Sequence, residues 1–446
     1  MKRFIATLKN IWKIEELRQR ILLTLGLVLI YRLGTYVVLP GVDAQALANA
    51  KNSSDQGGIL ALINIFAGGA FSRASIFGLG IMPYITASII IQLLGMAVPY
   101  FQKLQKEGES GRKKINQYTR FLTVGVTAVQ APGYIGTQIT NFAGAVPNSN
   151  TFWWFQSILI LVTGTMFVMW LGEKITDKGI GNGISLIIMI GIIARLPFAF
   201  FSELSSRLES QGGGLIMLLI EIVFLLFVII GCILLVQGTR RVPVQFAKKI
   251  VGNKQYGGVR QYIPLKVNAA GVMPIIFAQA IMFIPAAIAQ MGDGSRGGFL
   301  MAFTNNFGFW YNLVFAVLII LFTYFYTAIM VNPNQLADEM KRNGGFVPGV
   351  KPGKKTAEFL DSVMSRITFP GSLFLALVAI MPAIAVKLGI QYEFANFYGG
   401  TSLLILVGVV LDTLQQIESF LLNRQYEGLM KSGRIKGRTP SMQLQG

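Results

Sequence analysis

Histidine is missing from all 446 residues, and cysteine occurs once, at Cys232 inside an apolar run. These absences remove imidazole acid–base chemistry, Ser-His and Cys-His nucleophiles, zinc sites of the usual composition and any disulfide within the chain. Charge is also scarce: Asp, Glu, Lys and Arg make up 13% of the residues, against about 25% in soluble domains. With 53% of the residues hydrophobic, lipid is the expected solvent for most of the chain. A bilayer core then demands helical runs of roughly 20 apolar residues.

Ten such runs are present: Ile21 to Val38, Ile76 to Val98, Phe121 to Asn141, Thr151 to Leu171, Ile184 to Phe201, Leu215 to Val236, Val267 to Met291, Tyr311 to Val331, Ile367 to Val386 and Thr401 to Leu422. The first follows Lys2, Arg3, Lys9, Lys13, Arg18 and Arg20 and imitates a secretory signal. It is too long for a signal core, and the small-residue triplet Ala48-Asn49-Ala50 lies too far downstream, so it is read as a retained span. Of the 39 Lys and Arg residues, 32 fall on the side of the N-terminus and 5 on the other, with Arg32 and Arg195 inside spans. This asymmetry puts both termini and the loops after the second, fourth, sixth and eighth spans in the cytoplasm, and explains the net charge of +19 without nucleic acid.

The expected fold is therefore an all-α membrane protein: a cytoplasmic amphipathic segment 1–20, an N-terminal half 21–201, a C-terminal half 215–422 and a cytoplasmic tail 423–446. Five spans per half is an odd number, so the halves enter the membrane from opposite sides, which is the topology of an inverted repeat. Two cytoplasmic loops, 237–266 and 332–366, are longer than a helical hairpin needs. The first holds Arg240, Arg241, Lys248, Lys249, Lys254, Arg260 and Lys266 with no acid, and the second mixes Lys351, Lys354 and Lys355 with Glu358 and Asp361. Docking of an acidic partner and plain orientation of the chain both account for these charges.

No catalytic motif survives inspection. Gly349 to Thr356 has the wrong glycine spacing for a phosphate loop and no apolar strand before it. Gly179-Ile-Gly-Asn-Gly183 reads as a turn capping the fifth span. Ionisable residues inside spans are Arg32, Arg195, Glu221, Asp412 and Glu418, of which only Asp412 falls near a span centre. A secondary transporter, the alternative reading, needs a midplane group of such residues for its solute and coupling ion.

Before the second span lies Asn64-Ile-Phe-Ala-Gly-Gly-Ala-Phe-Ser-Arg73, apolar, glycine-rich and too short to cross. Irregular backbone at membrane depth must be covered by protein or face a water-filled cavity, so a re-entrant plug at about 63–74 and an ordinary outer loop are the two readings. Pro83 is expected to kink the second span, with Ile81 and Ile85 on one face. The polar residues Thr86, Gln92, Gln130 and Asn268 lie in or at the ends of spans, where they can join helices by hydrogen bonds.

Six blocks then resemble one family: Ser72 to Tyr84, Lys106-Glu-Gly-Glu-Ser-Gly-Arg112, Val162 to Ser185, Pro264-Leu-Lys-Val-Asn268, Gly345-Phe-Val-Pro-Gly349 and Tyr398 to Leu404. In this order they are similar to the SecY family, the channel subunits of the general-secretion translocon of the bacterial cytoplasmic membrane. The resemblance implies two five-helix halves around a pore, with a plug of Asn64, Phe66, Gly68, Gly69, Ser72 and Arg73. It implies a constriction ring of Ile81, Ile85, Ile184, Ile188, Ile276 and Ile405, and a lateral gate that uses Thr86, Gln92, Gln130 and Asn268.

By the same resemblance, Arg240, Arg241, Lys248, Lys249, Arg260, Lys351, Lys354 and Lys355 dock a ribosome or a SecA-type motor ATPase. Lys351 stands where many relatives have arginine, which keeps the charge and loses the bidentate fork. Small SecE-type and SecG-type subunits, membrane lipid and substrates bearing signal sequences are the other implied partners. No cofactor and no enzymatic activity are implied.

Overall fold

The computed structural model describes residues 14–52, 64, 67–142, 144–146, 150–209, 214–246, 249–251, 254–256, 260–279, 281–282 and 307–431. Segments 1–13, 432–446 and the end of the seventh expected span, 283–291, lie outside the described residues.

The chain is mostly helical. It runs through α1 (Glu15–Gly34), α2 (Ala44–Asn52), α3 (Met82–Ala97), α4 (Pro99–Lys106), α5 (Glu109–Ile135), α6 (Thr151–Lys178), α7 (Gly183–Glu209) and α8 (Gly214–Gln237). There follow β1 (Thr239–Phe246), β2 (Lys249–Val251), β3 (Lys254–Tyr256) and β4 (Arg260–Lys266). The remainder comprises α9 (Phe309–Met330), α10 (Pro333–Arg342), β5 (Gly345–Phe346), α11 (Lys354–Lys387), α12 (Tyr392–Ala395) and α13 (Gly400–Lys431). Among the described residues six helices are long and apolar enough to cross a membrane, or seven if the pair Met82–Gly95 and Pro99–Gln105, bent by 101°, is one broken span. Large apolar side chains such as Phe152, Phe198 and Phe227 stand exposed on these helices, as a lipid-facing surface requires.

Two compact units divide the chain. The first holds 63–191 together with 1–55 and 409–446, and the second holds 192–408 with 56–62.

In the first unit, α5 carries Thr119, Thr123 and Thr127 on one buried face. Each hydroxyl donates to the carbonyl four residues earlier, at 2.9, 2.7 and 2.6 Å, so a polar stripe is satisfied within its own helix. The glycine-rich turn before α7 is a cap, as its composition indicates: Asn182 Oδ1 accepts from the amides of Ile184 and Ser185 at 3.2 and 3.3 Å. The amides just before it are taken by Thr24 Oγ1 on α1 and Gln416 Oε1 on α13, at 3.1 and 2.8 Å. The second expected span differs from its sequence reading. Residues 76–81 form turns, the helix begins at Met82, and Pro83 sits in its first turn. At that position the missing amide N–H costs nothing, so Pro83 starts a helix instead of kinking one.

In the second unit, the all-α expectation needs correction. Strands β1 and β4 pair antiparallel from Thr239↔Lys266 to Gln245↔Arg260, and β5 from the other long loop adds Gln245↔Phe346. The order β4-β1-β5 thus joins the two basic loops in one sheet. Its inward residues Val242, Val244 and Leu265 bury against Met340, Val347, Leu360 and Met364. The strand pattern is short and mixed with arginines, which hid it behind the charge signal. Asn332 caps α10 by accepting from the amides of Asn334 and Gln335, with Pro333 next to it.

Candidate functional site

The segment ahead of α3 is folded into the first unit and does not lie on its surface. Ala67, Ala70, Phe71 and Ala74 are all buried. Local bonds shape it: the Gly69 amide donates to Asn64 O at 2.9 Å, the Ser72 amide to Asn64 Oδ1 at 3.1 Å and Ser72 Oγ to Gly69 O at 3.3 Å. A bridge between Val38 and Ser75 ties its far end to the stretch after α1, with Leu39 N donating to Ala74 O and Ile76 N to Val37 O, each at 2.9 Å.

Two side chains then reach into it from the surrounding helices. Tyr134 of α5 donates its hydroxyl to Phe71 O at 2.7 Å, and the two rings meet at 4.8 Å. Arg32 of α1 donates Nη1 to Gly68 O at 2.8 Å. Gly68 has φ +62°, and a Cβ there would stand 2.9 Å from Arg32 Nη1 and 3.1 Å from the Gly191 Cα, so glycine is needed for both conformation and space.

Ile81 caps α3 and is buried, and Ile85 follows one turn on, its amide donating to Ile81 O at 3.1 Å. Ile184 and Ile188 open α7 on one face, with Ile184 against Gly172 of α6. In the second unit Ile276 is half-buried and Ile405 is buried in α13. Phe66 lies outside the described residues.

The polar residues of the expected gate are dispersed in character. Thr86 Oγ1 donates to Met82 O in its own helix at 3.1 Å, and Gln92 Nε2 to Ser88 Oγ at 3.4 Å. Gln130 is exposed on α5. Asn268, between β4 and the helical residues from 273, has a buried Oδ1 without a hydrogen-bond partner among the described residues.

Of the basic set, Arg240 and Arg241 are exposed on β1, Lys351 is exposed in the turn before α11, and Lys354 and Lys355 are exposed at its start. Lys249 and Arg260 lie in β2 and β4, and Lys248 falls outside the described residues.

Among the described residues, Glu221, an ionisable residue of the sixth expected span, belongs to a buried charged group whose other members, Glu203 and Arg207, the sequence reading did not single out. Glu203 and Glu221 are both buried, and Arg207 bonds to each. Arg207 Nη2 also donates to Gly389 O at 2.7 Å, the Gln391 amide to Glu203 Oε2 at 2.8 Å and Tyr398 Oη to Glu221 O at 2.9 Å. The spacing of Glu203 and Arg207, four apart on one helix, was the available signal. Asp412, which the sequence places near a span centre, is exposed on α13.

The SecY family model matches residues 75–414. The SecY protein translocase subunit of Streptomyces scabiei is 43% identical over 437 residues, which cover 94% of this chain and 98% of that protein. Among solved structures, the chain is similar to a protein-conducting channel, with a TM-score of 0.62 and 18% identity over 90% of this chain and 92% of that one. It is similar to a SecY protein whose plug domain stabilises the closed state of the translocation channel and maintains a membrane seal, at TM-score 0.59, 18% identity and the same 90% and 92% coverage. Sec61 from a canine ribosome–channel complex of the endoplasmic reticulum matches with TM-score 0.59, 18% identity and again 90% and 92% coverage.

Proposed function

The chain belongs to the SecY family, and from that premise we propose that it is the protein-conducting subunit of a membrane translocon, passing unfolded secretory chains across the membrane and releasing apolar segments sideways into lipid. The observation that carries this reading is the described part of the expected plug, 67–74, with the turns up to residue 80: irregular, apolar backbone packed within the first unit immediately ahead of Ile81 and Ile85. Such backbone is stable at membrane depth only when protein covers it, and a covered, short, glycine-rich segment can leave as a unit. By the family reading, Ile184, Ile188, Ile276 and Ile405 are assigned with these two isoleucines to an apolar collar that would dewet at rest and seal around any passing chain.

The finer assignments follow the family. Ten spans in two inverted halves, with both termini in the cytoplasm of a bacterial inner membrane, agree with the distribution of 32 basic residues against 5. Thr86, Gln92, Gln130 and Asn268 serve the lateral gate, whose weak interhelical bonds a signal sequence displaces by preferring the open state. Arg240, Arg241, Lys248, Lys249, Arg260, Lys351, Lys354 and Lys355 dock a ribosome or a SecA-type motor, SecE-type and SecG-type subunits brace the helices, and no cofactor takes part.

Planar-bilayer conductance tests the collar. Replacing Ile81, Ile85, Ile184 and Ile188 together by serine is expected to raise resting ion leak at least tenfold, since a wetted constriction conducts. Leak at the wild-type level, with a stalled secretory chain that never crosslinks near Ile81 or Ile276, would overturn the assignment.

A further inference from the structure

Arg32 is an arginine in a predominantly apolar helix, and no described acid pairs with it. Its guanidinium makes three contacts instead: Nη1 to Gly68 O at 2.8 Å, Nη2 to Tyr36 Oη at 3.1 Å, and the cation at 5.1 Å from the centre of the Tyr36 ring. The same ring receives Arg73, from the far side of the re-entrant segment, at 4.3 Å. Tyr36 is thus a platform shared by a cation on the fixed helix and a cation on the segment. Gly68 in turn lacks the Cβ that would block the approach of Arg32.

We propose that Arg32 is the positioning residue that latches the re-entrant segment in its closed place, through the Gly68 carbonyl and the Tyr36 platform. This rests on the reading of that segment as a plug. The chemistry suits a latch. A neutral carbonyl takes a charge-assisted hydrogen bond, which is stronger than a neutral one and weaker than a buried ion pair, so the contact holds at rest and yields to a ligand. When the segment leaves, the guanidinium keeps Tyr36 and gains water. The opening equilibrium therefore shifts by the value of one hydrogen bond, about a factor of ten.

The test is resting ion leak of the full complex in planar bilayers, with translocation of a normal secretory substrate by the same preparation as the check on folding. Arg32→Met is expected to raise leak about tenfold, Tyr36→Leu about threefold, and Arg32→Lys, which keeps charge and donor, to stay nearer wild type than Arg32→Met. Gly68→Ala, a second route to the same contact, is expected to leak as Arg32→Met does. Deleting residues 65–73 should leak most, and adding Arg32→Met to that deletion should change nothing further, because the latch acts only through the segment. A leaking deletion with silent Arg32→Met and Gly68→Ala overturns the latch alone, as does an Arg32→Met effect that persists in the deletion. A deletion that does not leak overturns the plug reading itself.

Discussion

Two regions of irregular backbone, one in each unit, are held by an arginine that bonds to a glycine carbonyl, and they are held with very different strength. At Gly68 the arginine brings one charge-assisted bond, a tyrosine ring and no acid. At Gly389 the arginine also lies between the buried carboxylates of Glu203 and Glu221, and the adjoining backbone is tied by the Gln391 amide and by Tyr398. Removing the first arginine frees a carbonyl. Removing the second strands two carboxylates in a low-dielectric interior, where an unpaired charge costs several kcal/mol. The first arrangement suits a part that moves and the second a part that never does.

The sharpest way to break this comparison is Arg207→Met, expected to destabilise the protein by about 3 to 5 kcal/mol while leaving the resting leak of the surviving folded protein unchanged. Thermal unfolding in detergent and bilayer conductance read the two quantities separately, and a large leak without lost stability would show that the two regions work alike. Tyr134→Phe comes next. It removes the hydroxyl that serves the Phe71 carbonyl and leaves that acceptor buried, at a cost of about 1 to 3 kcal/mol felt as increased leak. Smallest is Lys355→Ala, which breaks the exposed pair with Glu358 and is expected to change stability by less than about 0.5 kcal/mol. It marks what a basic side chain is worth when water already serves it.

Between the regions, legibility in the sequence differed for a physical reason. Asn64 to Arg73 stood out, because glycine and apolar residues in a run too short to cross exclude a helix span and leave a re-entrant plug and an outer loop as the two readings. The Glu203, Arg207 and Glu221 group did not, because its members come from two helices and meet the backbone of a distant turn, and Glu203 and Arg207 fall beyond the expected end of the fifth span. The sheet shared by the two long loops was equally hidden. Val242 and Val244 alternate inward over only a few residues, and the partners that bury them, Met340, Leu360 and Met364, lie about 100 residues further on. Pro83 was misread because a proline at the start of a helix and one inside it look the same until the start is known.

By itself the sequence determined the solvent, the apolar helices, the distribution of basic charge and the resemblance to a family, since each depends on composition or on spacing along one stretch. Only the tertiary structure decided that 67–81 is packed inside its unit, that α3 begins at Met82, that a three-stranded sheet joins the basic loops, and which carbonyl Arg32 meets. Those outcomes are contacts between residues far apart in the chain, and periodicity along one segment carries no information about its distant partner.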